Sequence, residues 1–120
     1  MKRLLIAALL SAALVGCAGV PTKVADGVLT NEAGMTLYTY DKDATGSGKS
    51  VCNGPCALNW PPLKAADADQ TSGDWSVVVR DDGSRQWAYQ GKPVYLWIKD
   101  QKPGDKTGDG VNKVWRTVAQ

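Results

Sequence analysis

The sequence predicts an all-β fold: one small, mostly antiparallel domain built from two similar repeats and preceded by a cleaved signal helix. Three observations carry that expectation. Short runs such as Leu37-Tyr38-Thr39-Tyr40 and Ser76-Val77-Val78-Val79-Arg80 have the composition and period of strands. Turn signals rich in Gly, among them Asp81-Asp82-Gly83, separate those runs. No stretch beyond residue 16 sustains the 3.6-residue period of an amphipathic helix.

The N-terminus reads as a lipoprotein export signal, residues 1–16. Met1-Lys2-Arg3 is a basic start, and Leu4 to Val15 is uncharged and rich in Leu and Ala. That run is shorter than the roughly 20 apolar residues a membrane-spanning helix needs, and it suits the apolar core of a secretion signal. Leu14-Val15-Gly16-Cys17 has the form of a lipobox, two apolar residues and a small one before Cys. Cleavage after Gly16 makes Cys17 the first mature residue, and its thiol accepts diacylglycerol. Several acyl chains of the palmitate kind anchor a protein stably, where one does not. Gly16-Cys17-Ala18 also passes as an ordinary signal-peptidase site, which is the plainer alternative. Ala18, rather than Asp, after the Cys points to an outer membrane, with the domain facing the periplasm or the cell surface. Residues 17–25 are then the lipidated Cys and a short tether. Its eight extended residues reach at most about 28 Å. Residues 26–120 form the β domain, with repeat one at about 26–64 and repeat two at about 74–118.

Charge and composition exclude several functions. The precursor carries 14 Lys and Arg against 12 Asp and Glu. Loss of Lys2 and Arg3 with the signal leaves the mature chain neutral. A neutral surface without basic clusters argues against nucleic acid as a partner. The chain has no His. That removes Ser-His-Asp and Cys-His catalysis and His-ligated zinc or iron. There is no Phe either, so the 5 Trp and 4 Tyr must supply the large core side chains.

The duplication is visible directly. Gly34-Met35-Thr36-Leu37-Tyr38-Thr39-Tyr40-Asp41-Lys42-Asp43 recurs 57 residues later as Gly91-Lys92-Pro93-Val94-Tyr95-Leu96-Trp97-Ile98-Lys99-Asp100. Asp26-Gly27 and Asp82-Gly83 match upstream, and Trp60 and Trp115 match downstream. Each unit predicts a hairpin turned at Gly34 or Gly91, then a strand carrying Tyr38 and Tyr40 on one face, or Tyr95 and Trp97 on the corresponding face. Asp43 and Asp100 follow as turn-capping residues. Ala65–Gly73 is polar and Ala-rich, and joins the halves.

Tyr38-x-Tyr40-x-x-Asp43 and Tyr95-x-Trp97-x-x-Asp100 resemble the Yx(F/W/Y)xxD motif of a family of small secreted-repeat bacterial lipoproteins. The block from Cys52 through Trp60-Pro61-Pro62-Leu63 is similar to that family's first-repeat signature. Pro103-Gly104-Asp105 through Gly108-Asp109-Gly110 is similar to its second. The resemblance covers nearly the whole mature chain. It implies an envelope location and a duplicated unit, and it carries over no catalytic residue.

Two local features bear on chemistry. Cys52 and Cys56 flank Asn53-Gly54-Pro55, a turn able to bring the sulfurs together. In an oxidising compartment a structural disulfide is the expectation. A redox or copper site is the alternative; Met35 is a candidate soft ligand, and the segment shows no helix start to stabilise a thiolate. Asp105, Thr107 and Asp109, with Gly110 after them, resemble the opening of a calcium loop. Position twelve of that loop is Arg116 instead of the bidentate Glu, so a solvated turn series is the expectation. The aromatic residues are expected to form the core, with a stacking surface for glycan as the alternative.

The functional expectation is a membrane-anchored envelope lipoprotein, non-catalytic, serving as a binding or structural module. Its partners are the membrane through the lipid, and an envelope protein or glycan. No cofactor is expected; copper and calcium are the alternatives weighed. The alternative function is a copper-binding or thiol-redox envelope protein using Cys52 and Cys56. Replacing Cys17 with Ala is predicted to abolish acylation. Metabolic labelling with a fatty acid checks this, and equal label in variant and wild type refutes it.

Overall fold

A computed structural model describes residues 20–120. The signal helix and Cys17 lie outside the described residues. The described chain is mostly strands paired antiparallel, with one five-residue α-helix and one 3-10 helix. No helix among the described residues is long and apolar enough to cross a membrane.

Strand β1 (Thr22–Ala25) and strand β2 (Val28–Asn31) form a hairpin closed by Asp26 and Gly27. Both turn residues have positive φ, 51° and 77°, which matches the right-handed twist of the strands. β1 thus occupies the second half of the stretch read above as tether. Its residues are mostly exposed and offer little apolar signal; the Asp-Gly pair between two extended runs is the cue that marks it.

The second repeat starts with the matching hairpin, strands β4 (Trp75–Val79) and β5 (Arg85–Tyr89), turned at Asp81-Asp82-Gly83. β5 continues through Gln90-Gly91, again both at positive φ, into β6 (Lys92–Pro93). Gly91 is obligatory: a Cβ there would lie 2.9 Å from the backbone nitrogen of Gly46, whose N–H donates to the Gly91 carbonyl.

The repeats then interlock. Strand β3 (Tyr38–Tyr40) of repeat one pairs with β7 (Trp115–Thr117) of repeat two. Conversely Tyr95 of repeat two bridges to Pro62 of repeat one. Leu29 donates to the Val118 carbonyl at 2.9 Å, and its counterpart Trp87 donates to the Leu63 carbonyl at 2.9 Å. Each repeat therefore completes its sheet with the C-terminal segment of the other. Tyr38 and Tyr95 exchange backbone hydrogen bonds of 2.8 and 2.9 Å at the centre of this pseudo-twofold arrangement.

The two Tyr segments differ in one respect from the expectation. Tyr38–Tyr40 is a strand, but Tyr95–Trp97 is not; Tyr95 makes only isolated bridges. The cause lies in the partner. Arg116 and Thr117 carry N–H groups for a ladder, whereas the equivalent Pro61 and Pro62 have none to donate. Pro61 still accepts from Leu96 at 2.7 Å.

Neighbouring residues of these central segments point to opposite sides. Leu37 and Val94 enter an aliphatic cluster with Leu29, Leu63 and Trp87. Tyr38 and Tyr95 enter an aromatic cluster with Cys52, Trp60 and Trp115. In the second cluster Tyr40, Trp115, Trp60 and Trp97 stack in one column, with centroid spacings of 4.3, 3.8 and 3.9 Å. Tyr38 meets Trp60 edge-on and Tyr95 meets Trp115 edge-on, repeating the symmetry. Trp97 ends the column half-buried, beneath the Lys99 ammonium.

Because Trp60 and Trp115 belong to different repeats yet stack on each other, Trp115→Ala is predicted to destabilise both halves together by ~3–5 kcal/mol. Urea unfolding with hydrogen exchange checks it. Protection lost only in repeat two contradicts the interlocked core.

Candidate functional site

A groove of about 880 Å³ opens between two walls. One wall is Asn53–Pro55 with Ala57 and Leu58; the other is Arg80–Asp82 with Ser84; Pro61, Pro62 and Lys64 form the floor between them. Leu58 stands 75% exposed at its mouth.

The first wall is helix α1 (Pro55–Asn59), which the sequence reading did not expect. Pro55 pre-sets the first helical φ, and Gly54 takes φ 58° to turn the chain into it. None of its residues is buried. So short a helix is unstable alone, and the Cys52–Cys56 disulfide ties it down. Cys52 is wholly buried in the aromatic cluster, against which Cys56 packs. Trp60 donates its N–H to the Cys56 carbonyl and closes the helix onto the floor.

The second wall is held from below by Arg80, only 4% exposed. Its Nη1 donates to Ser50 Oγ at 2.9 Å and to Gln86 Oε1 at 2.7 Å. Its Nη2 donates to the Cys52 carbonyl and to Asn53 Oδ1. One guanidinium thus pins the loop entering α1 to the β4–β5 hairpin. Sequence reasoning left Arg80 as a strand end and did not single out Ser50, Gln86 or Leu58. A lone Arg closing a Val run is the only local cue.

The Ser50 hydroxyl joins this support to the motif residues. It lies 2.6 Å from the Tyr95 hydroxyl, which donates in turn to Asp43 Oδ2. Asp43 Oδ1 accepts the Val51 N–H at 2.7 Å. In the reciprocal pair Tyr38 donates to Asp100 Oδ2 at 2.6 Å, and Asp100 Oδ1 accepts the Thr107 N–H and hydroxyl at 2.9 and 2.6 Å. Each Tyr of the motif therefore binds the Asp of the opposite repeat. Both Asp side chains arrive there because an Asp N–H to aromatic C=O turn follows each motif, Asp43 to Tyr40 and Asp100 to Trp97. Their backbone N–H groups close the turns, while their side chains reach across the following loop and cross-link the repeats. Tyr40 and Trp97 pack against the same aromatic cluster. Neither Asp43 nor Asp100 lines the groove.

Asp105, Thr107 and Asp109 do not converge. Asp105 accepts from Lys102 Nζ at 2.8 Å and from two backbone N–H groups, which hold its carboxyl below the usual carboxylate range. Thr107 turns to Asp100, and Asp109 accepts from the Thr117 N–H at 3.1 Å. Arg116 forks onto Asp41 across the β3–β7 pair. Among the described residues no group of three or more acidic or Cys side chains is placed to hold a metal ion. Lys102 and the turn backbone occupy the Asp105 oxygens, and the three side chains point to separate partners.

The geometry is that of a duplicated β protein whose halves exchange their C-terminal segments. The family described as a secreted repeat of unknown function matches residues 21–64 and 76–119, and this chain belongs to it. No curated protein and no solved structure matches.

Burial and the Asp partners push the Tyr38 and Tyr95 hydroxyls well above their ordinary pKa near 10. The unfolded chain releases these protons first as pH rises. The stabilisation is therefore complete below about pH 10 and declines above it, by about 1.4 kcal/mol per pH unit for each Tyr. Tyr95→Phe is predicted to lower stability by roughly 2 kcal/mol at neutral pH, since buried Asp43 loses a donor, and to flatten the alkaline decline. Denaturant titrations at several pH values check both; an unchanged alkaline slope contradicts the assignment.

Proposed function

We propose that the protein is a lipid-anchored, non-catalytic binding module of the cell envelope, and that the groove beside α1 is its binding surface. The observation that carries this reading is the construction of the groove. A disulfide, a buried Arg and two prolines hold its walls and floor in place before any partner arrives. Such preorganisation reduces the entropy lost on binding. The floor and the α1 wall are largely apolar, while Lys64, Asp81 and Asp82 supply charge of both signs at the edge. That combination suits a segment of an envelope protein with apolar side chains and mixed charge. The motif Asp residues are committed to Tyr and backbone donors, which supports a structural role for them over acid–base work. Membrane attachment is assigned to Cys17, on the lipobox that precedes it.

Leu58→Asp places a charge at the groove mouth on an exposed position, so stability stays within about 0.5 kcal/mol of wild type. It is predicted to abolish photo-crosslinking from a groove-edge position to an envelope protein in intact cells. Crosslinks of undiminished yield in this variant and in Lys64→Glu refute the groove. Binding of glycan fragments in its place redirects the reading to a carbohydrate partner.

A further inference from the structure

The distance between the acyl anchor and the first folded residue constrains which face of the domain meets the membrane. This rests on the proposed lipidation of Cys17. Val20 already packs against the aliphatic core, and its carbonyl accepts the Thr22 N–H at 2.8 Å. Val20, three residues after Cys17, is thus already part of the folded body. Three extended residues reach at most about 11 Å. A lipidated Cys sits at the boundary between hydrocarbon and headgroups, and the headgroup layer of one leaflet is itself roughly 5–7 Å thick. The tether cannot hold the body clear of the lipid surface by even the width of one sheet layer, about 10 Å.

We infer that the β1 edge, Val20 to Ala25, is a lipid-contacting surface that lies against the phospholipid headgroups of the leaflet holding the anchor. The chemistry of the edge agrees. β1 pairs only with β2, so its outer backbone groups have no ladder partner. An open edge of this kind invites pairing with other chains unless something covers it. Phosphate and glycerol-ester oxygens accept a hydrogen bond from the outward Val24 N–H, the Thr22 N–H being bonded already to the Val20 carbonyl. Lys23 is exposed and reaches phosphate, with its alkyl stem along the interface. Val24, 58% exposed, places an apolar side chain at the same level. The counterpart strand β4 in repeat two has an exposed Val79, at 54%, but no anchor attached to it. β4 belongs to a different sheet from β1, and the groove is built on the β4–β5 turn, with no β1 residue in its lining. Contact at β1 thus orients the domain.

The test uses the full acylated chain in vesicles of phosphatidylethanolamine and phosphatidylglycerol. Val24→Cys and Val79→Cys are each labelled with a nitroxide, and collision with a nickel-chelating headgroup lipid is read by power saturation. The collision rate at 24 is expected to exceed that at 79 several-fold. A Gly-Ser linker of about 20 residues inserted after Ala18, with a mean reach of roughly 25 Å, is expected to remove the difference. Equal rates at 24 and 79, in a chain whose mass shows the acyl groups, overturn this orientation and leave the anchor standing. A difference that persists with the linker inserted also overturns it, because the tether then does not set the contact. Protein exported without acyl mass overturns the anchor itself, and the orientation with it.

Discussion

The two crossed Tyr–Asp hydrogen bonds are the constraint on which the rest of the structure depends. Tyr38 reaches Asp100, and Tyr95 reaches Asp43, so each bond joins the repeats. A carboxylate buried without a donor is costly, by several kcal/mol, and a bond to it is worth more than a neutral one. Within its own repeat Asp43 keeps the Val51 N–H and Asp100 the Thr107 N–H and hydroxyl, but the second oxygen of each finds its donor only across the repeats. One repeat alone would leave that buried oxygen and a Tyr hydroxyl without these bonds. The exchange of C-terminal segments follows the same logic, because β3 finds its ladder only in β7. The duplicated unit is half of a fold, and two copies complete it.

The absence of Phe fits this arrangement. Every large side chain in the aromatic cluster is Trp, Tyr or a disulfide Cys. Tyr38 and Tyr95 need hydroxyls for the crossed bonds, and the indoles stack between them. Gly108 shows how tightly the column is placed: a Cβ there would lie 2.9 Å from Trp60 and Tyr38. Its counterpart in repeat one is Cys52, which fills the corresponding position and starts the disulfide. Symmetry thus holds in the core and breaks at the loops.

That break locates the candidate site. Repeat one carries α1 and the disulfide; repeat two has a 3-10 helix, Val111–Lys113, in the matching region. Arg80, at the end of β4, has no basic counterpart at the end of β1, where Ala25 stands. All three differences concern the walls of one groove. Where two copies of a unit share a core, the residues that differ are free to serve something other than folding. The buried chain from Asp43 through Tyr95 and Ser50 to Arg80 connects the shared core to that groove. It also holds one carboxylate and one guanidinium within a single buried network.

The sequence by itself determined the β class, the duplication and the identity of the core anchors, because period-2 patterning and Gly turns are local properties. Asp26-Gly27 was legible as a match to Asp82-Gly83, but the exposed β1 before it went unread for want of apolar residues. Cys52, Cys56 and Trp60-Pro61-Pro62 were legible as a unit, yet α1 was not, since five residues carry too little periodicity to show a helix. Ser50, Gln86 and Leu58 gave no cue, and Arg80 only its place after a Val run; their roles arise from partners 6 to 45 residues distant or from exposure beside a groove. Asp43 follows its strand as expected and Asp100 follows a segment that makes only isolated bridges, but which Tyr each would meet was beyond reach. Both choices, within a repeat or across repeats, satisfy the same pattern of residue types. Only the tertiary structure decided between them, because the prolines at 61 and 62, the shared stack of Trp60 on Trp115 and the single backbone exchange of Tyr38 with Tyr95 act between segments far apart in the chain.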